Sequence, residues 1–202
     1  MEEILALARI CSFVSLRNVT ELRAEYIKAL NSGVRLPVIR EAVLQTYLFA
    51  GYAAAINAFI TLNEVSEGNQ EFLREEYGSL KNWEERGEEL CKKIYGSQYE
   101  KLVHNMKQLH PDLADWMLWE GYGKVLARPF LSPVVRELLI VAMTAVLQVE
   151  RQFLSHVRGA MNVGATNEQI WAVFEQTKVH IPKETITRYE EIIKMSAGIL
   201  PA

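Results

Sequence analysis

The chain has 202 residues, half of them apolar and 23% charged, with a formal net charge of −3 and a pI near 5.9. That balance excludes an intrinsically disordered chain, and the length is enough to bury a core without disulfide staples. An acidic total with no Lys/Arg cluster excludes nucleic acid as a main partner, because phosphate binding rests on grouped cations.

Taken in order, the hydrophobic periodicity predicts helices and no sustained strand, so the expected fold class is all-α. A first helix is predicted over 2–16, and a second follows Asn18 with Leu22, Tyr26, Ile27 and Leu30 on one face, until Asn31-Ser32-Gly33 stops it. The third opens with Pro37 in its first turn and runs to about 62. The polar stretch 64–69, with Gly68, reads as a linker. Helices are then expected over 70–77, 82–95, 98–108 and 112–127, the last closed by Arg128-Pro129. Ser132-Pro133 opens a helix to 147, another spans 150–162 and stops at Gly164, Thr166 with Gln169 makes a capping box for a helix to about 179, and Pro182 begins the last.

The start, Met1-Glu2-Glu3, is acidic where a secretory signal is basic, and the longest apolar runs, 47–62 and 138–147, fall short of the about 20 residues that cross a bilayer. No membrane partner is expected, and the location read from this is cytoplasmic. Cys11 and Cys91 stand far apart with no CxxC or Cys/His spacing, so no metal site and no cofactor is expected.

Sliding the chain by 131 residues lays 7–49 over 138–180 without gaps and matches Leu7/Leu138, Leu16/Leu147, Ala29/Ala160, Asn31/Asn162, Gly33/Gly164, Ile39/Ile170, Gln45/Gln176 and Thr46/Thr177. The inter-helix turn, the Asn-x-Gly stop and the capped third helix stay in register. The expected organisation is therefore a degenerate helical unit over 1–63, linker helices over 64–110, and a second helical unit over 111–202 that carries the candidate site.

In that second unit, Glu137 opens a long apolar helix, His156 follows nineteen residues later, and the tail reads HxRGAxNxGATxEQI. This pattern resembles the carboxymuconolactone decarboxylase and alkylhydroperoxidase D-like superfamily, with the first unit matching more weakly through ALNSGVRLPVIREAVLQTYLFAGYAAAINAF. The resemblance implies a helical-hairpin fold, oligomers built on helical interfaces, and a small lactone acid as substrate of the decarboxylase branch. Thiol peroxidases of the family carry a Cys-x-x-Cys, and the two positions here are Val149 and Gln152. Neither can supply a thiolate, which points away from that chemistry.

The residues allow the pair independently of the resemblance. With a turn near Gln148, Glu137 and His156 come within about one turn of the same height at ~1.5 Å per residue, so they can face each other. His156 and Glu137 are the candidate catalytic residues, as proton donor and as orienter or second acid/base. Gln152, Arg158, Arg151 and Trp171 are the candidate substrate-binding residues, the arginines because guanidinium grips carboxylate bidentately. The expected function is thiol-independent acid/base chemistry on a small carboxylated lactone or related acid, with that molecule and further copies of the chain, as a dimer or trimer, as partners. The alternatives are a non-catalytic oligomeric binding protein of the same fold and a residual alkylhydroperoxidase-type activity.

Overall fold

Pro133 and the Ser132 side chain, which accepts from the Val135 amide, nucleate the helix around which the rest is arranged: α9 (Pro133–Val146) is buried without interruption from Arg136 to Val146. The computed structural model describes residues 1–76 and 79–198. Among them every regular element is helical: α1 (Glu2–Ser15), α2 (Val19–Asn31), α3 (Leu36–Gln45), α4 (Tyr47–Ala50), α5 (Tyr52–Val65), α6 (Leu80–Tyr95), α7 (Tyr99–Leu109), α8 (Pro111–Trp116), a π-helix (Met117–Leu126), α9, α10 (Glu150–Asn162), α11 (Asn167–Thr177) and α12 (Lys183–Ser196), with 3₁₀ turns at Gly96–Gln98 and Lys178–His180. An all-α chain results, as its periodicity requires.

Around α9 pack α1, α10 and α11; α2 and α5 cover α1, α12 covers α10, and α6 pairs with the π-helix. One continuous apolar core, from Leu7 and Ile10 through Leu138–Met143 to Phe153 and Phe174, joins these layers. The bounds of α1 and α2 lie 131 residues before those of α9 and α10. Their connecting turns share a non-glycine residue at positive φ, Arg17 at 55° and Gln148 at 56°. Both turns repeat the same backbone bonds, Asn18 N–H to Phe13 O and Val149 N–H to Thr144 O.

Three helix expectations are corrected. The helix expected to run from Pro37 to about 62 is broken twice: the Thr46 hydroxyl donates to Val43 O, and Gly51 takes φ 85° as the cap that starts α5. The helix expected over 70–77 is absent from the described residues 70–76, while Tyr77 lies outside them. There the backbone carbonyls bond to guanidinium groups instead of a helical ladder: Arg40 donates to Asn69 O at 2.6 Å and Arg128 to Leu73 O at 3.2 Å. The helix expected over 112–127 changes to π geometry at Met117 and ends with Ala127 N–H on Tyr122 O. The π turn seats against α6 through two glycines, since a Cβ on Gly87 would strike Leu118 O and one on Gly123 would strike Trp83 O. Only hydrogen at both positions allows the two backbones to meet.

Candidate active site

α9 and α10 run antiparallel, joined by the tight turn at Leu147–Val149, and this places the first turns of α9 beside the middle of α10. Glu137 and His156 meet there, with His156 Nδ1 at 2.8 Å from Glu137 Oε2. Glu137 is 1% exposed and His156 6%. With Glu137 as the acceptor, Nδ1–H donates to it, which orients the ring and turns Nε2 away from the carboxylate. Among the described residues Nε2 has no hydrogen-bond partner, and the ring lies edge-on to Phe49 of α4, centroids 5.7 Å apart.

The wall behind the carboxylate is backbone. A Cβ on Gly159 would lie 2.7 Å from Glu137 Oε2 and 2.7 Å from Ile94 Cγ2, so the glycine is what lets α10 close over the carboxylate. Glu137 Oε1 is buried with no hydrogen-bond partner among the described residues. Cys91, Tyr95 and Tyr122 lie within electrostatic range of Glu137. Burial first, then the charges of Glu137 and Glu88, push the Cys91 thiol up to about 12. Burial, then Glu137, holds the Tyr95 hydroxyl above its ordinary range, and Tyr122, which donates to Tyr95 at 2.9 Å, is raised further by burial, Tyr95 and Glu137. Three weakly acidic groups, held protonated by burial, thus lie within electrostatic range of one carboxylate.

Of the residues expected to bind substrate, none hydrogen-bonds to the pair among the described residues. Arg151 and Gln152 lie in the first turn of α10, which projects with Gln148 and Val149 to the surface, and both are exposed. Gln152 is exposed one turn before the buried His156. Trp171 belongs to another cluster, edge-on to Phe174 at 6.2 Å with Lys178 Nζ 5.7 Å above its ring. Arg158 lines a cleft of about 510 Å³ where α6 turns into α7, with Gly159, the neighbour of Glu137, on the same wall.

Phe49, Gly159, Ile94, Tyr95 and Cys91 carry no signal as site residues in the sequence, whereas Tyr122 stands among the aromatics at helical spacing that can line a pocket. Gly159 stands inside the quoted motif and was read only as part of it. Phe49 is 107 positions from His156, beyond any local pattern. A second buried polar group was equally illegible: Glu41 accepts from Arg128 Nε and Arg136 Nη2, each at 2.7 Å, while Arg136 Nη1 reaches Gln45 at 3.1 Å. Arg9 bonds Glu25, the position matched to His156 in the first unit, at 2.6 Å, and Gln176 at 2.9 Å. The matched glutamines Gln45 and Gln176 each accept from an arginine of the other half of the chain.

Residues 111–180, from α8 to the 3₁₀ turn after α11, match the carboxymuconolactone decarboxylase family, and the match encloses both Glu137 and His156. Two relatives are named Peroxisomal protein 2. The one from Schizosaccharomyces pombe is 31% identical over 137 residues, covering 66% of this chain and 64% of that protein. The one from Saccharomyces cerevisiae is 32% identical over 81 residues, covering 40% of this chain and 29% of that protein. The chain thus spans less than two thirds of either relative's length.

Proposed function

From the match of residues 111–180 to the carboxymuconolactone decarboxylase family we propose that the chain is an enzyme performing thiol-independent acid/base chemistry on a small carboxylated lactone or related acid. The observation that carries this is the 2.8 Å contact between Glu137 and His156, with Nε2 left free of partners among the described residues. A carboxylate fixed on Nδ1 orients the imidazole and stabilises the imidazolium that forms when Nε2 takes a proton. In a decarboxylation, the C–C bond to the leaving carboxylate breaks, CO₂ departs, and its electron pair passes into the conjugated lactone carbonyl as an enolate. His156 Nε2, having first taken the proton of the substrate's acid group, then hydrogen-bonds the enolate oxygen or returns that proton to its carbon, so that the proton lost on ionisation is the one regained by the product.

The test is CO₂ release and loss of lactone absorbance across a panel of carboxylated lactones, with and without His156→Ala. Turnover that falls at least roughly tenfold supports the reading, since a positioned acid or base contributes ~10²–10⁴-fold. Turnover unchanged by the substitution removes His156 from the mechanism.

A second reading, a non-catalytic oligomeric binding protein, is favoured by the near-complete burial of the pair, which leaves Glu137 1% and His156 6% exposed. Ligand binding without turnover across the panel would select it. Self-association is part of either reading: Tyr52, Ile56 and Ile60 form one exposed stripe on α5, at 61%, 55% and 52% exposure.

No helix among the described residues is long and apolar enough to cross a membrane. The names of the two relatives make the peroxisome the compartment proposed here, in place of the cytoplasm read from the sequence alone. Overlap of a fluorescent fusion with a peroxisomal matrix marker supports that, and a diffuse cytosolic signal returns the first reading.

A further inference from the structure

At the end of α6, Gly96 takes φ 53° and turns the chain into α7, so that the last turn of α6 and the first turns of α7 form a corner against α10. The Asn162 side chain donates to Ile94 O at 2.8 Å and ties the two walls together. Between them lies the cleft of about 510 Å³, within the about 300–1,000 Å³ of small-molecule sites. Two cations border it, Lys101 from α7 and Arg158 from α10, both exposed, and neither has a carboxylate partner among the described residues. Among the described residues no Asp or Glu lines it, on a chain whose net charge is −3. Two other surface clefts that hold cations also carry acids, Glu76, Glu85 and Glu89 beside Arg86 in one and Glu2 and Glu3 beside Arg9 and Lys28 in another. Ile94, Leu102 and Leu154 give the cleft an apolar wall.

We propose that this cleft binds a small organic carboxylate, its acid group held by Lys101 and Arg158 and its apolar body against Ile94, Leu102 and Leu154. Two unneutralised cations on separate helices favour an anion there, guanidinium engages a carboxylate through two parallel bonds, and the apolar wall adds burial that inorganic phosphate cannot use. The inference goes beyond the acid/base reading, because binding here does not require Glu137 or His156 to turn anything over.

The experiment is titration of the ¹⁵N-labelled full chain with hexanoate, adipate and inorganic phosphate, followed by amide shifts. The expected result is saturable binding of hexanoate or adipate with shifts centred on 96–102 and 155–159, and weaker binding of phosphate. Lys101→Glu with Arg158→Glu should weaken carboxylate binding at least about tenfold, the loss of charge-assisted hydrogen bonds. Lys107→Glu, the same charge change on α7 outside the cleft, should leave it within about twofold. Both substituted sites are exposed, so the fold is retained and is checked by circular dichroism. No saturation by either carboxylate, binding that survives the double reversal, an equal loss in Lys107→Glu, phosphate binding as tight as the carboxylates, or shifts centred on Phe49 would each overturn the proposal.

Discussion

Gly159 and Glu137 are in contact through a missing side chain: a Cβ on the glycine would stand 2.7 Å from Glu137 Oε2, the same oxygen that accepts from His156. The backbone of α10 therefore presses its own histidine's partner into place. The dyad depends on a hydrogen atom as much as on its two polar side chains.

Gly159→Ala should for this reason disturb the pair. One methyl forced into a closed wall costs about 1–3 kcal/mol, and here it must displace a carboxylate and Ile94 together. The expected result is a folded protein, less stable by that amount in chemical denaturation, with the His156 imidazole resonances moved. Gly87→Ala should cost more, because its neighbours are the backbone atoms Leu118 O and Gly123 N, which cannot swing aside. Equal stability of the two variants would show that the α6 and π-helix contact is looser than described.

Stability should fall on the alkaline side. Burial raises the folded-state pKa of Cys11, Cys91, Tyr26, Tyr95 and Tyr122. The sign follows from linkage: below the unfolded-state values both states are protonated and stability is full, while above them the unfolded chain releases protons that the folded chain retains. Cysteine begins to count near pH ~8.5 and tyrosine near ~10, each group then removing about 1.4 kcal/mol per pH unit. Urea midpoints measured from pH 7 to 11 should decline progressively above about pH 9, and a flat profile to pH 11 would contradict the burial of these groups.

Activity, where found, should not depend on cysteine. Cys11 is fully buried with its thiol raised far above the ordinary range, and Cys91, although the sequence placed it in a connecting region, stands within electrostatic range of Glu137 with its thiol at about 12. Both are protonated at neutral pH and poor attackers of peroxide. Iodoacetamide at pH 8 should label neither in the native protein. The constructive counterpart uses Val149, the N-cap of α10, and Gln152, three residues on. Val149→Cys with Gln152→Cys places a dithiol at a helix N-terminus one turn from His156, and should create dithiol-dependent peroxide reduction. Peroxide reduction by the natural chain that iodoacetamide abolishes would reverse this assignment.

Light scattering at micromolar concentration should give a dimer or trimer. The exposed stripe Tyr52, Ile56 and Ile60 follows one face of α5, and Ile56→Asp should shift the mass to the monomer. A monomeric mass for the unsubstituted chain would count against self-association.

Local chemistry was legible in the sequence wherever it acts over a few residues. Ser132 and Thr166 cap α9 and α11 as their motifs require, α10 runs over the residues that the periodicity marks, and Glu137 and His156 meet because they flank one short turn at matching heights. The break at Gly51 and the unwound segment 69–76 were not legible there. Apolar periodicity continues through Gly51, and the carbonyls of Asn69 and Leu73 are claimed by Arg40 and Arg128 from elsewhere in the chain. Tertiary structure also decided which α10 residues lie inside. Helical spacing puts Gln152 near His156, but the depth to which the turn before α10 projects leaves one exposed and the other buried. Phe49, Cys91, Tyr95 and Tyr122 reach Glu137 and His156 only through packing of segments distant in the chain, and no pattern with a period of a few residues encodes contacts at that range.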